Sequence, residues 1–220
     1  MSTQQYILPQ SVSMSVLDNV QLLYITTAQY SAEWASTPHT HTCAELFFIT
    51  GGRGSFQIHQ TVLPVSSGDL VVVNSGVTHT EISQDGSPME YTVLGVEGLE
   101  TLSGPGGYAL MHGFSEQRQV SLCLNMLLSE AANAQSAYTA VCQNLLHVIL
   151  LLLMRHQQFV LIPVQKEPKS SRECSLVRRY IDNHFKENIT LDHLAAMAHL
   201  NKYYLAHAFQ RSTAFPRSVT

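Results

Sequence analysis

Four side chains stand out because their types and spacing could hold a metal ion or a polar ligand. His39, His41 and Glu45 carry odd numbers in one predicted extended segment. Side chains alternate across a strand, so all three can face one side together with Phe47 and Ile49. His79 follows a turn at Asn74-Ser75-Gly76 and is the fourth candidate. Three imidazoles and a carboxylate converging inside a barrel suit a divalent transition metal such as Zn, Ni, Fe or Mn. The same groups can instead line a pocket as hydrogen-bonding histidines with no metal. The expected ligand-binding set is therefore His39, His41, Glu45, Phe47 and His79, and the expected metal set is His39, His41, Glu45 and His79. Cys43 is expected on the face opposite His41, outside the set. His59, His112, His147 and His156 lack such neighbours in sequence and are expected at the surface or as capped core residues.

The elements that must position these groups read as strands. From Val20 to Val96 the hydrophobic pattern has a period of two, between turns such as Gly51-Gly52, Ser66-Ser67-Gly68-Asp69 and Asp85-Gly86. VQLLYITTAQY, AELFFIT, GSFQIHQ, DLVVVN, THTEIS and MEYTVLGV make six short strands, which argues a sandwich or barrel. Gly98 to Gly107 is rich in Gly, Ser and Pro and is expected to be a loop. The period then changes. Val141, Leu145, Val148 and Leu152 recur as one helical face, with Leu146, Ile149 and Leu153 beside it. Two helices are predicted, near 116–133 and 137–157, turning around Asn133–Ser136. The uninterrupted apolar run is only Val148 to Met154, interrupted before it by Gln143, Asn144 and His147. A membrane span needs ~20 predominantly apolar residues, so a buried helix is the reading. An apolar face that wide is expected to pack on the barrel and on a second subunit, as a homodimer through these linker helices.

On these residues the body is similar to a known family. His39-x-His41-x3-Glu45-x6-Gly52 resembles the first cupin motif, and Gly68-x5-Asn74-x-Gly76-x2-His79-x3-Ser83 the second. Glu33 stands where the first motif usually opens with Gly, Asn74 replaces the usual Pro, and Ser83 the usual Asn. The resemblance implies a cupin-like jelly-roll barrel. In sensor domains of that kind the histidines often line a pocket without catalysis.

The C-terminal segment reads as three short helices. Leu176-Val177-Arg178-Arg179-Tyr180-Ile181 begins the first, Thr190 is the N-cap of Leu191–His199, and Asn201 caps the third. Leu205 and Phe209 face the core side of that third helix. Its other face carries Lys202, Tyr203, His207, Gln210 and Arg211. Two short helices joined by a tight turn, the second polar and basic, fit a helix-turn-helix. Ile181-Asp182-Asn183-His184-Phe185, Ile189-Thr190-Leu191-x2-Leu194-Ala195 and Asn201-Lys202-x-Tyr204-Leu205-x3-Phe209 resemble the first helix-turn-helix of AraC-family transcriptional regulators. The resemblance implies that Tyr203, Ala206 and His207 face bases in the major groove, and that Lys202, Gln210 and Arg211 serve phosphates. His207 departs from an often Arg-like position. The family's DNA-binding region has two such units, so the expectation here is a chain truncated after the first.

Charge agrees with this division. The 220 residues carry a net charge of −4, which taken alone speaks against a nucleic-acid binder. Residues 1–164 hold three basic and eleven acidic side chains, a net of −8, whereas residues 165–220 hold nine and five, a net of +4. An acidic body with a basic tail is expected when only one part meets phosphate. The stretch VQKEPKSSRE between them reads as a linker. Four cysteines with no C-x-x-C fit reduced thiols, and MSTQQYILPQ lacks the basic and apolar regions of a signal peptide, so a cytoplasmic protein away from the membrane is expected. The expected organisation is α+β: a cupin-like sensing barrel over 1–110, a helical linker and dimerisation hairpin over 111–164, and an incomplete all-α helix-turn-helix segment over 165–220. The expected function is a non-enzymatic transcriptional regulator that binds DNA and a small-molecule effector, a sugar among the candidates. The rival is a metal-dependent cupin enzyme acting on a small molecule, which leaves the basic tail without a role.

Overall fold

The computed structural model describes residues 4–6, 15–30, 36–102, 106–156, 159–164, 174, 177–178, 180–181, 188–198, 200–203, 205–206 and 209. Glu33, His207, Gln210, Arg211 and linker residues 165–173, all singled out above, lie outside this set. The chain divides into two compact units, Met1–Val164 and Gln165–Thr220.

The first unit holds β1 (Gln21–Gln29), β2 (Ala44–Gly51), β3 (Arg53–Ile58), β4 (Thr61–Ser66), β5 (Leu70–Val73), β6 (His79–Ser83), β7 (Glu90–Glu97), β8 (Leu99–Thr101) and β9 (Tyr108–Met111). Helices α1 (Gln117–Asn133) and α2 (Tyr138–Leu153) follow, then β10 (Leu161–Pro163). The strands form a five-stranded sheet in the order β1-β7-β2-β5-β9, a three-stranded sheet β4-β3-β6 and the pair β10-β8. Every described pairing between these strands is antiparallel. Alternation along β2 then separates two cores. Leu46 and Phe48 face a cluster with Leu94, Leu146, Ile149 and Leu150, which seats α1 and α2 on the sheet. Phe47 and Ile49 face a second cluster with Phe56, Ile58, Val71, Met89 and Val93 inside the barrel. Both faces of β2 are buried, which is why AELFFIT reads as an almost unbroken apolar run.

The helices fall close to the predicted spans, and the turn between them uses Ala134 (φ 46°) and Ala137 (φ 63°), both left-handed. Strands β4, β8, β9 and β10 lie outside the six expected from periodicity. β4 contains Pro64, which lowers its strand signal, but β4 is a sheet edge, where a missing N–H is tolerated. The expected loop over Gly98–Gly107 is corrected: Leu99–Thr101 is a strand, paired with Leu161–Pro163. Asn74 stabilises it from the side. Its amide donates to Thr101 O and its carbonyl accepts from Thr101 N–H, both at 2.9 Å. The departure from the usual Pro thus has a structural task, as does Ser83, whose Oγ accepts from Met89 N–H at 2.9 Å.

In the second unit, α3 (Leu191–Met197) is capped by Thr190, whose Oγ1 accepts from His193 N–H at 3.2 Å. Asn201 Oδ1 accepts from Tyr203 N–H at 2.9 Å, the expected cap of the next helical stretch. Val177, Leu194, Ala195, Ala198 and Leu205 form a small core, with Tyr180, Ile181, Leu200 and Phe209 packed against it.

Candidate functional site

The four candidate groups do meet inside the barrel. His39 is held by a backbone bridge to His79, with mutual N–H to carbonyl bonds of 2.9 and 3.0 Å. Their ring centroids are 4.5 Å apart, and His41 lies 5.0 Å from His39 and 5.7 Å from His79. One ring nitrogen from each of His39, His41 and His79 can be chosen so that all lie within 4.8 Å of one another. Glu45 Oε2 is 3.4 Å from His41 Nε2 and 3.2 Å from His79 Nε2. Phe47 forms one wall, its ring 5.7 Å from that of His79.

Orientation follows from the outer bonds. His39 Nδ1 and His79 Nδ1 lie 2.9 and 3.0 Å from the carbonyls of Thr37 and Val77. A carbonyl only accepts, so both Nδ1 atoms carry hydrogen and Nε2 is turned to the cluster. Burial alone would raise the Glu45 carboxyl, yet the neighbouring His79 and His41 hold it below its ordinary range. Burial alone would lower His79, yet the Glu45 carboxylate raises it. The two face each other across 3.2 Å, each shifted toward its charged form by the other. Their facing atoms, Glu45 Oε2 and His79 Nε2, are buried without an aligned hydrogen bond despite the 3.2 Å approach. Buried polar atoms in that state call for a ligand, water or ion. The three imidazole nitrogens of His39, His41 and His79 are close enough together to fit a transition-metal ion, with Glu45 beside two of them.

Sequence reasoning missed four groups. Tyr24 donates to Glu45 Oε1 at 2.5 Å, and its own hydroxyl is pushed up by burial and by that carboxylate. Glu81, two residues beyond His79 and so on the same face, is buried, and burial raises its carboxyl. Tyr30 donates to the Glu81 carbonyl at 3.1 Å, with its ring 6.1 Å from Tyr91. The alternation that picked out Glu45 from His41 would have found Glu81 from His79. Cys43 is a correction. Its thiol lies 3.8 Å from the Tyr24 hydroxyl, beside the cluster, on the side that alternation gives it, since 43 is odd like 41 and 45. His112 pairs with Asp69 at 3.0 Å and His156 with Glu116 at 2.5 Å, both outside the cluster.

In the second unit Lys202 and Tyr203 are exposed and Ala206 is half-buried. Lys202 Nζ pairs with Asp192 Oδ1 at 3.0 Å and lies 5.9 Å from the Tyr203 ring.

Together, the antiparallel jelly roll and its histidine–glutamate interior define a cupin-like domain. The chain belongs to the family of AraC-like ligand binding domains, whose model matches residues 23–150. It is 26% identical over 183 residues to the uncharacterized HTH-type transcriptional regulator YbfI of Bacillus subtilis (strain 168), a similarity covering 79% of this chain. The chain spans 64% of the length of that relative. Among solved structures it is similar to ToxT from Vibrio cholerae O395 bound to (E)-4-(8-methylnaphthalen-1-yl)but-3-enoic acid, with TM-score 0.43 and 9% identity over 91% of this chain and 79% of that one. It is also similar to the AraC-like transcriptional activator CuxR, with TM-score 0.40 and 12% identity over 95% and 80% of the two chains.

Proposed function

We propose that this chain is the effector-sensing body and first DNA-contacting unit of a cytoplasmic AraC-type transcriptional regulator, and that it catalyses no reaction. The observation that carries the reading is the family match over residues 23–150, which spans most of the barrel and nearly all of both helices. The name of the relative YbfI and the basic tail support a DNA partner. The effector binds at His39, His41, Glu45, Phe47 and His79. Its chemistry follows from charge. The three basic side chains of residues 1–164, Arg53, Arg118 and Arg155, are all exposed, whereas Glu45 and Glu81 are buried. A carboxylate effector would find acceptors and no guanidinium, so an uncharged polyol such as a sugar fits better. Tyr203, Ala206 and His207 read bases, while Lys202, Gln210 and Arg211 meet phosphates. Leu122, Met126, Val148 and Leu151, exposed on α1 and α2, supply a homodimer surface.

The test is transcription from the chain's own upstream region, in cells with and without the gene and across a panel of sugars. A response that disappears in Glu45→Ala is expected; a promoter indifferent to the chain under every condition overturns the reading. Direct binding to that DNA is expected to fall steeply with salt, because the basic tail would meet phosphates.

A metal-dependent reading of the same site is favoured by one observation, the buried and unaligned Glu45 Oε2 and His79 Nε2. A bound ion would supply Lewis acidity or an anchor for an effector hydroxyl. Metal content near zero in protein purified without chelators would sink it.

A further inference from the structure

Gln143 interrupts the apolar run of α2, and its carboxamide is fully engaged. Nε2 donates to Val20 O at 2.9 Å, and Oε1 accepts from Leu22 N–H at 2.9 Å. Those two bonds set the amide's orientation, so its 2.8 Å contact with His147 Nε2 is a donation to a neutral ring. The two backbone groups flank the start of a bulge. Register in β1 jumps from Leu22↔Val96 to Tyr24↔Gly95, which leaves Leu23 as an extra residue.

That extra residue decides where Tyr24 points. In a regular strand residues 22 and 24 would share a face. Here Leu22 packs in the cluster under the helices and Tyr24 packs in the cluster inside the barrel. A one-residue slip exchanges faces, and the bulge is that slip. Gly95 makes room for the result, since a Cβ there would lie 1.9 Å from the Tyr24 ring. β1 is an edge strand, so β7 satisfies only one of its sides and α2 supplies Gln143 to the other.

We propose that Gln143 is a positioning residue: it pins the β1 bulge to α2, holds Tyr24 against Glu45, and so couples the position of α2 to the barrel interior. Coupling of this kind is reciprocal, so a change at Glu45 alters the hold on Gln143 as much as the reverse. Its consequence for regulation rests on the effector reading of the barrel; the coupling itself does not.

The experiment uses the full chain labelled with 3-fluorotyrosine and followed by fluorine NMR. The Tyr24, Tyr30 and Tyr91 lines are assigned by their loss in the matching Phe variants. Gln143→Met, close in size and unable to make either bond, is expected to move or split the Tyr24 line while those of Tyr30 and Tyr91 stay. Exchange of the Leu22 amide should rise on the order of tenfold. An unmoved Tyr24 line in folded Gln143→Met overturns the proposal. Should that variant fail to fold, Glu45→Gln is read from the other end. Faster Leu22 amide exchange supports the coupling, and unchanged exchange overturns it. No effector or metal enters either arm, so failure here leaves the effector reading standing.

Discussion

Glu45 and Leu46 are neighbours on one strand with opposite duties. Leu46 faces outward, fully buried under α1 and α2 among aliphatic side chains, where contact area is the whole of its contribution. Glu45 faces inward, also buried, and is tolerated only because His41, His79 and Tyr24 surround its carboxylate. The outer face of the sheet builds stability from packing that any well-shaped apolar set could supply. The inner face gives up some of that packing to hold charge in a dry place, which only specific partners can offset. The difference separates residues that make the fold from residues that use it.

The largest expected effect tests the outer face. Leu46→Ala should lower unfolding free energy by about 2–5 kcal/mol in urea denaturation, because a large cavity opens beneath the helices. A loss as small as that of a surface substitution would erase the contrast between the two faces. Gly95→Ala comes next. Its added methyl meets the Tyr24 ring, so overpacking should cost about 1–3 kcal/mol and move Tyr24 away from Glu45. Wild-type stability left intact, with the Tyr24–Glu45 bond retained, would mean the ring is not confined by Gly95.

Glu45→Gln should cost less than Leu46→Ala, and the cost should follow pH. Glu45 is held below its ordinary 4.5, so its contribution is present above that value and fades as pH falls through the lowered one. His79 is held above its ordinary 6.5, so its contribution is full below that value and fades as pH rises through the raised one. The wild-type advantage over Glu45→Gln therefore peaks between about pH 4.5 and 6.5. A flat difference across pH 4–8 in thermal melts would break the ion-pair account.

The smallest effect has the opposite sign. Burial raises the Glu81 carboxyl, so ionising it opposes folding, and that burden grows as pH climbs past the ordinary 4.5. Glu81→Gln should be neutral or mildly stabilising at pH 7. Clear destabilisation there would place Glu81 with Glu45 as a paired charge instead of a tolerated one.

Local pattern carried much of this. Alternation put Glu45 and Phe47 on one face of β2, the Asn74–Gly76 turn delivered His79, and the helical period located α1 and α2 to within a few residues. It failed where the chain departs from a regular element. Leu99–Thr101 looked like loop because its partner, Leu161–Pro163, is distant in sequence, whereas Cys43, odd-numbered like His41 and Glu45, lies beside the cluster as alternation requires. Tyr24 was invisible for a related reason. Its face depends on a bulge that shows only against β7 and Gln143. His207, expected to face bases, and Gln210 and Arg211, expected to meet phosphates, lie outside the described residues, and those expectations rest on the family resemblance.

By itself the sequence determined which residue types share a face, since the 2.0 and 3.6 periods are properties of the backbone. It also settled the contrast between an acidic body and a basic tail, because charge adds along the chain without regard to fold. Only the tertiary structure decided that Tyr24 joins the histidines, that Asn74 and Gln143 each satisfy both backbone groups of a neighbouring segment, and that the pKa values of Glu45 and Glu81 move apart. Those outcomes depend on distances between segments far apart in sequence, and on the dielectric of an interior that exists only once the sheet has closed.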